Sequence, residues 1–216
     1  MRPPIRVLLA DDHKIILNGL RSLLEPEFEL VGKVEEGRAL VSSAQQLRPD
    51  VIIVDISMPL LNGIEAVRQI KKFDPAVKVI FLTMHPDVTY AIRAFEAGAS
   101  GYVLKHSASS ELLTAIHEAI KGRTYVTPMI AGELVQAYKE GNYQQFEEAQ
   151  QLTQRQREIL QLLVEGNSAK EVANLLNISP RTVEFHKYNM MSKLKLKSLS
   201  ALIQYAIKHG FTSVER

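Results

Sequence analysis

A chain of 216 residues, 46% hydrophobic and 23% charged with a formal net charge of +2, has room for two modest domains. No apolar run approaches about 18 residues, no signal-peptide core follows Met1-Arg2-Pro3-Pro4-Ile5, and cysteine is absent; no membrane span, secretory leader, disulfide or thiolate metal site is expected, and a cytoplasmic protein is. The charge is uneven: residues 1–123 hold 15 Lys+Arg against 15 Asp+Glu, residues 124–151 hold 1 against 4, and residues 152–216 hold 10 against 5, so a polyanionic partner is expected for the C-terminal third alone.

Ile5 to Ala10 reads as a buried strand running into Asp11-Asp12, and the helical pattern after it places Ile15, Ile16, Leu20, Leu23 and Leu24 near one face before Pro26. Glu29–Val34 reads as a strand and Ala39–Leu47 as a helix ended by Arg48-Pro49. Val51-Ile52-Ile53-Val54 is an uninterrupted apolar, mostly β-branched run, as in a strand buried on both faces, and it ends in Asp55. Helix Ile64–Lys72, strand Lys78–Thr83, helix Val88–Ala97, strand Gly101–Lys105 and helix Ser110–Lys121 follow. Five strand–helix alternations in about 120 residues predict a doubly wound, five-stranded parallel sheet.

Residues 123–151 read as a connector: a helix over Ile130–Tyr138, then Glu140-Gly141-Asn142 and a Gln/Glu-rich flexible stretch. Beyond it, Thr153 caps one helix, Ser168 caps a short second helix, and Asn177-Ile178-Ser179 is a tight turn. Ser179-Pro180 opens a third helix whose Val183, Met190 and Leu194 share a core-facing side. Two short helices, a turn and a longer cation-rich helix form the pattern of a helix-turn-helix.

In an open parallel sheet the carboxyl ends of the strands converge on the crevice where strand order reverses. Asp11, Asp12, Asp55, Thr83 and Lys105 all fall at such ends. Crowded carboxylates repel, and a hard divalent cation with oxygen ligands, Mg2+, relieves them and neutralises a transferring phosphoryl group. The expected chemistry is phosphoryl transfer to Asp55 as nucleophile, Lys105 adding positive charge and Thr83 a hydroxyl. Taken singly, each residue has a plainer reading: Asp11 or Asp12 as a helix cap, Thr83 as a strand residue, Lys105 as a solvated end.

Asp11-Asp12, Asp55-Ile56-Ser57-Met58-Pro59, Thr83 and Lys105 resemble the signature of the receiver domain of two-component response regulators, over residues 4–122. The resemblance implies phosphorylation of Asp55 by a sensor histidine kinase, with Asp11, Asp12 and the Ser57 backbone carbonyl helping to hold Mg2+, and Thr83 and Tyr102 moving together on activation. His106 stands where many receivers have Pro. Met84 and His85 are expected to border the pocket. Within the expected helix-turn-helix domain of residues 152–216, about 152–210 resemble the LuxR/NarL-type DNA-binding domain through Leu152-Thr153, Arg155, Glu158, Gly166, Lys170-Glu171-Val172-Ala173, Ile178-Ser179, Thr182-Val183-Glu184, His186 and Lys193-Leu194. That resemblance places Lys170, Thr182, Lys187 and Lys193 on phosphates and Glu184, Phe185 and Tyr188 toward the bases of promoter DNA, with a homodimer formed through the last helix. Two other readings stay open: a receiver-type regulator working without phosphate, and an aspartyl-phosphate phosphatase, which would want an acid where Ser57 stands.

Overall fold

The computed structural model describes residues 3–140 and 152–211, so the flexible acidic stretch expected over 141–151 lies outside the described residues. The chain divides into two compact units, Met1–Gln136 and Ala137–Arg216.

In the first unit, strands β1 (Arg6–Ala10), β2 (Glu29–Val34), β3 (Val51–Val54), β4 (Lys78–Thr83), β5 (Gly101–Leu104) and β6 (Tyr125–Val126) form one parallel sheet in the order β2-β1-β3-β4-β5-β6. Helices α1 (Lys14–Leu24), α2 (Gly37–Leu47), α3 (Gly63–Phe73), α4 (Val88–Glu96) and α5 (Ala108–Ile120) alternate with the strands. Val7, Leu9, Val51 and Ile53 share a core with Leu17, Leu20 and Leu24 of α1 and Leu112, Ala115, Ile116 and Ala119 of α5. Their neighbours of opposite parity, Leu8, Ile52 and Val54, are just as buried, which is why the strands are apolar without alternation. Strand order reverses between the neighbouring β1 and β3, and their carboxyl ends border that crevice.

The five expected strands are joined at the β5 edge by β6, two residues long and too short to leave a periodic signal. Two expectations are corrected. Ile15 lies outside the buried face of α1 at 86% exposure, because at 100° per residue it falls well away from Leu17, Leu20 and Leu24. Lys105 leaves β5 and begins a single 3-10 turn, Lys105–Ser107.

Helix α6 (Pro128–Lys139) buries Ile130 and Leu134. The second unit is all helical: α7 (Gln154–Val164), α8 (Ala169–Leu176), α9 (Pro180–Lys193) and α10 (Leu199–Lys208). Thr153 with Gln156, and Ser168 with Glu171, form reciprocal capping boxes that satisfy otherwise orphaned backbone donors. Ser179 accepts from the Thr182 N–H with Pro180 at the first helical position. Asn177, left-handed at φ 51°, reverses the chain between α8 and α9. Val172, Val183, Met190, Leu202 and Ala206 are at most 1% exposed; Leu194, expected in the same core, is only partly buried.

Candidate functional site

Asp55 follows β3 at 3% exposure and Asp11 follows β1 at 1%. Lys105 lies between them, its Nζ 2.7 Å from Asp55 Oδ2 and 2.7 Å from Asp11 Oδ2. The Ile56 N–H donates to Asp55 Oδ1 (2.7 Å) and the His13 N–H to Asp11 Oδ1 (2.9 Å). His13 Nδ1 lies 2.8 Å from Asp12 Oδ1, at a more open position. Ligand atoms of Asp11, Asp12, His13 and Asp55 lie within 4.8 Å of one another. Three carboxylates in that space are a donor set suited to a hard cation, so the pocket is compatible with Mg2+.

Burial pushes the Asp55 carboxyl above its ordinary range; the charge and hydrogen bond of Lys105 oppose this, and Asp11 adds to it. Burial by itself would lower the Lys105 pKa, but its two carboxylate partners outweigh that and leave it raised, so Lys105 is held as a cation. The segment that carries Asp55 is pinned from behind: a Cβ on Gly63 would lie 2.0 Å from the Asp55 carbonyl oxygen, so the α3 N-terminus can approach only as glycine. Asn62 caps α3 by accepting from the Glu65 N–H, and Leu60 turns the loop at φ 65°.

Thr83 and Tyr102 are both fully buried and are joined through His85. The His85 N–H donates to Thr83 Oγ1 (3.3 Å), and the Tyr102 hydroxyl donates to the His85 carbonyl (2.8 Å). His85 Nε2 lies 2.8 Å from Ser57 Oγ, two residues past Asp55, and its ring stacks on Tyr90 with centroids 4.3 Å apart. Tyr102 thus occupies the inward position, where burial, then nearby Tyr90, Asp87 and Asp55, raise its pKa well above the ordinary phenol value. Expected from sequence only to border the pocket, His85 is the link among the Thr83, Tyr102 and Ser57 segments; no one-dimensional motif carries that. Met84 stands beside it at 61% exposure. A second feature invisible in sequence is the buried ion pair of Arg93 (α4) with Glu65 (α3), 3.4 Å apart, the side chains 3% and 1% exposed.

In the second unit, Val183 and Met190 turn inward while the far side of α9 exposes Glu184, Phe185 (61%) and Tyr188 (73%). Lys170 and Lys193 are exposed; Thr182 and Lys187 are partly so. Lys187 Nζ pairs with Glu184 Oε2 at 2.5 Å, and Thr182 Oγ1 with Ser179 Oγ at 2.8 Å. Arg155 ties α7 to the reading turn, bonding Glu158 (2.9 Å) and the Leu176 carbonyl (2.8 Å) just before that turn.

An acidic pocket with a lysine bridge on a doubly wound sheet, followed by a helix-turn-helix, defines a phosphorylatable DNA-binding regulator. The response regulator receiver domain family matches residues 7–117, and the luxR family of bacterial regulatory proteins matches residues 150–206. The transcriptional regulatory protein DegU of Brevibacillus brevis is 33% identical, across 97% of this chain and 96% of its own. The transcriptional regulatory protein MctR of Rhizobium johnstonii is 36% identical, across 98% and 97%. RcsB from Salmonella enterica serovar Typhimurium, solved bound to promoter P1flhDC with the phosphomimetic BeF3-, superposes with TM-score 0.60 at 30% identity, over 94% of this chain and 98% of that one. The chain belongs to the LuxR-type two-component response regulators. It is a regulator of transcription through DNA, not a classical enzyme, and no helix among the described residues is long and apolar enough to cross a membrane.

Proposed function

We propose that Asp55 is the phosphoacceptor and that its phosphorylation by a sensor histidine kinase sets how the C-terminal helices engage promoter DNA. The observation that carries this is the buried Asp55–Lys105–Asp11 bridge, 2.7 Å on either side, at the carboxyl edge of the sheet. An Asp55 carboxylate oxygen attacks phosphorus; the O–P bond forms as the N–P bond to the kinase histidine breaks and the imidazole departs. Asp11, Asp12, Asp55 and the Ser57 backbone carbonyl would hold Mg2+, which when bound neutralises charge on the phosphoryl group. Lys105 is the protein's own cation for the phosphoryl oxygens. Thr83 accepts from the His85 N–H, which leaves the hydroxyl proton for donation to one of them. The added charge of about −1.5 to −2 then draws on Thr83, and the shared His85 backbone passes its shift to Tyr102.

The receiver spans 4–122, the connector 123–151 and the reading domain 152–216. Lys170, Thr182, Lys187 and Lys193 meet phosphates; Glu184, Phe185 and Tyr188 face bases. Helix α10, with Leu199 39% exposed and Ile203 and Ile207 half-buried, offers the apolar surface for a homodimer on paired half-sites. Family membership supports a cytoplasmic setting. The test is acetyl phosphate with and without Mg2+, read by intact mass and peptide mapping: one phosphoryl adduct on Asp55, dependent on the cation and absent from Asp55→Asn. A folded protein that gains no adduct refutes the proposal.

A further inference from the structure

The DNA-facing side of α9 is aromatic where a hydrogen-bonding reader would be polar. Phe185 and Tyr188 lie one turn apart, 61% and 73% exposed, on the side opposite the fully buried Val183 and Met190. Arg181 precedes them on the same side and Ser192 follows. Neither ring is needed by the domain's own core. Glu184, the acid beside them, is held by Lys187 at 2.5 Å, so its charge is matched within the helix.

The major-groove edges of base pairs are mostly hydrogen-bond donors and acceptors; the 5-methyl group of thymine is their one protruding apolar group, and cytosine offers only a C5–H at the same place. A phenylalanine ring over the donor and acceptor atoms of an edge would strip water from them and return no hydrogen bond, at a cost in free energy. Over a thymine methyl it buries apolar surface on both sides. We infer that Phe185, with Tyr188 beside it, is a specificity-determining reader of thymine 5-methyl groups, so that preferred half-sites carry thymine beneath the middle of α9. The inference rests on the proposed DNA-binding role of this helix and adds the chemical group that is read. Tyr188 differs from Phe185 in having a hydroxyl that can bond a neighbouring base edge or a phosphate.

The test uses the full chain treated with a phosphodonor. Duplexes are selected by binding from a random-sequence library, then remade with deoxyuridine replacing thymidine at one position at a time, which removes only the methyl group. Binding weakens about fourfold at one or two positions of each half-site, the equivalent of about 0.8 kcal/mol for one buried methyl. Phe185→Ala or Tyr188→Ala binds the thymine and uracil forms of the position it covers equally. Equal binding of thymine and uracil duplexes by the unaltered protein at every position overturns the inference, as does a methyl effect that persists in both variants. If no duplex is retained, the DNA-binding role itself falls, and the inference with it. Light scattering without DNA gives the same mass for Phe185→Ala and the unaltered protein; a change in mass would mean that the aromatic face covers a second copy of the chain, and would overturn the inference.

Discussion

The two units treat charge in opposite ways. In the receiver, Asp11, Asp55, Glu65 and Arg93 are at most 3% exposed and are held by partners on other elements: Asp11 and Asp55 share Lys105, and Glu65 of α3 faces Arg93 of α4. On the exposed face of the reading domain a pair is local and wet: Lys187 and Glu184 lie three residues apart on one helix, 21% and 48% exposed. Buried charges interlock distant segments, so the phosphoryl charge proposed for Asp55 would bear on several of them at once. Exposed charges are free to trade water and counterions for phosphates. A switch uses the first arrangement and a duplex grip uses the second.

Breaking a buried pair is expected to have the largest effect. Arg93→Met removes the cross-helix partner of Glu65, which keeps Arg68 of its own helix at 3.7 Å, and lowers stability by up to about 3 kcal/mol, whereas Arg93→Met with Glu65→Leu recovers much of the loss; urea unfolding of the three proteins decides this. Should Arg93→Met cost no more than an exposed pair, the contrast between the units fails. Gly63→Ala ranks next. Its methyl would meet the Asp55 carbonyl, so a loss of about 1–3 kcal/mol and slower labelling by acetyl phosphate are expected, measured by thermal unfolding and by mass.

In the reading domain, Ser179→Ala removes the cap of α9 and costs about 1 kcal/mol, read from the unfolding of the full chain. Glu171 provides a pH test. Hydrogen bonds from the Ser168 hydroxyl and backbone N–H hold its carboxyl below the ordinary value. Its contribution is therefore present above the unfolded carboxylate range and lost as pH falls through the depressed folded value. Glu171→Ala should be less stable than the unaltered protein at neutral pH, the gap closing in acid; a gap independent of pH would assign the effect to something other than that charge. The smallest stability change is expected for Lys187→Ala, within about 0.5 kcal/mol, yet it should lower the salt dependence of DNA binding by about one phosphate contact.

The apolar stretches of Ile5–Ala10 and Val51–Val54 announced buried parallel strands, and the acids after them marked one sheet edge. Caps at Thr153, Ser168 and Ser179 were equally legible, because a cap is a local matter of one side chain and the next three backbone donors. Lys105 was read as an end-of-strand cation, but not as the bridge between two carboxylates, since Asp11 and Asp55 become neighbours only when β1 pairs with β3. Tyr125–Val126 was missed because two residues carry no period.

By itself, then, the order of residues determined the strand–helix alternation, the helix starts and the set of groups able to do phosphoryl chemistry, all properties of short stretches and their hydrogen-bonding capacity. Tertiary structure alone decided that His85 would join Thr83, Tyr102 and Ser57, and that Arg93 would meet Glu65. Those contacts close over as many as 28 residues of chain, and which groups meet across such a distance depends on how helices and strands pack and on what that packing leaves dry.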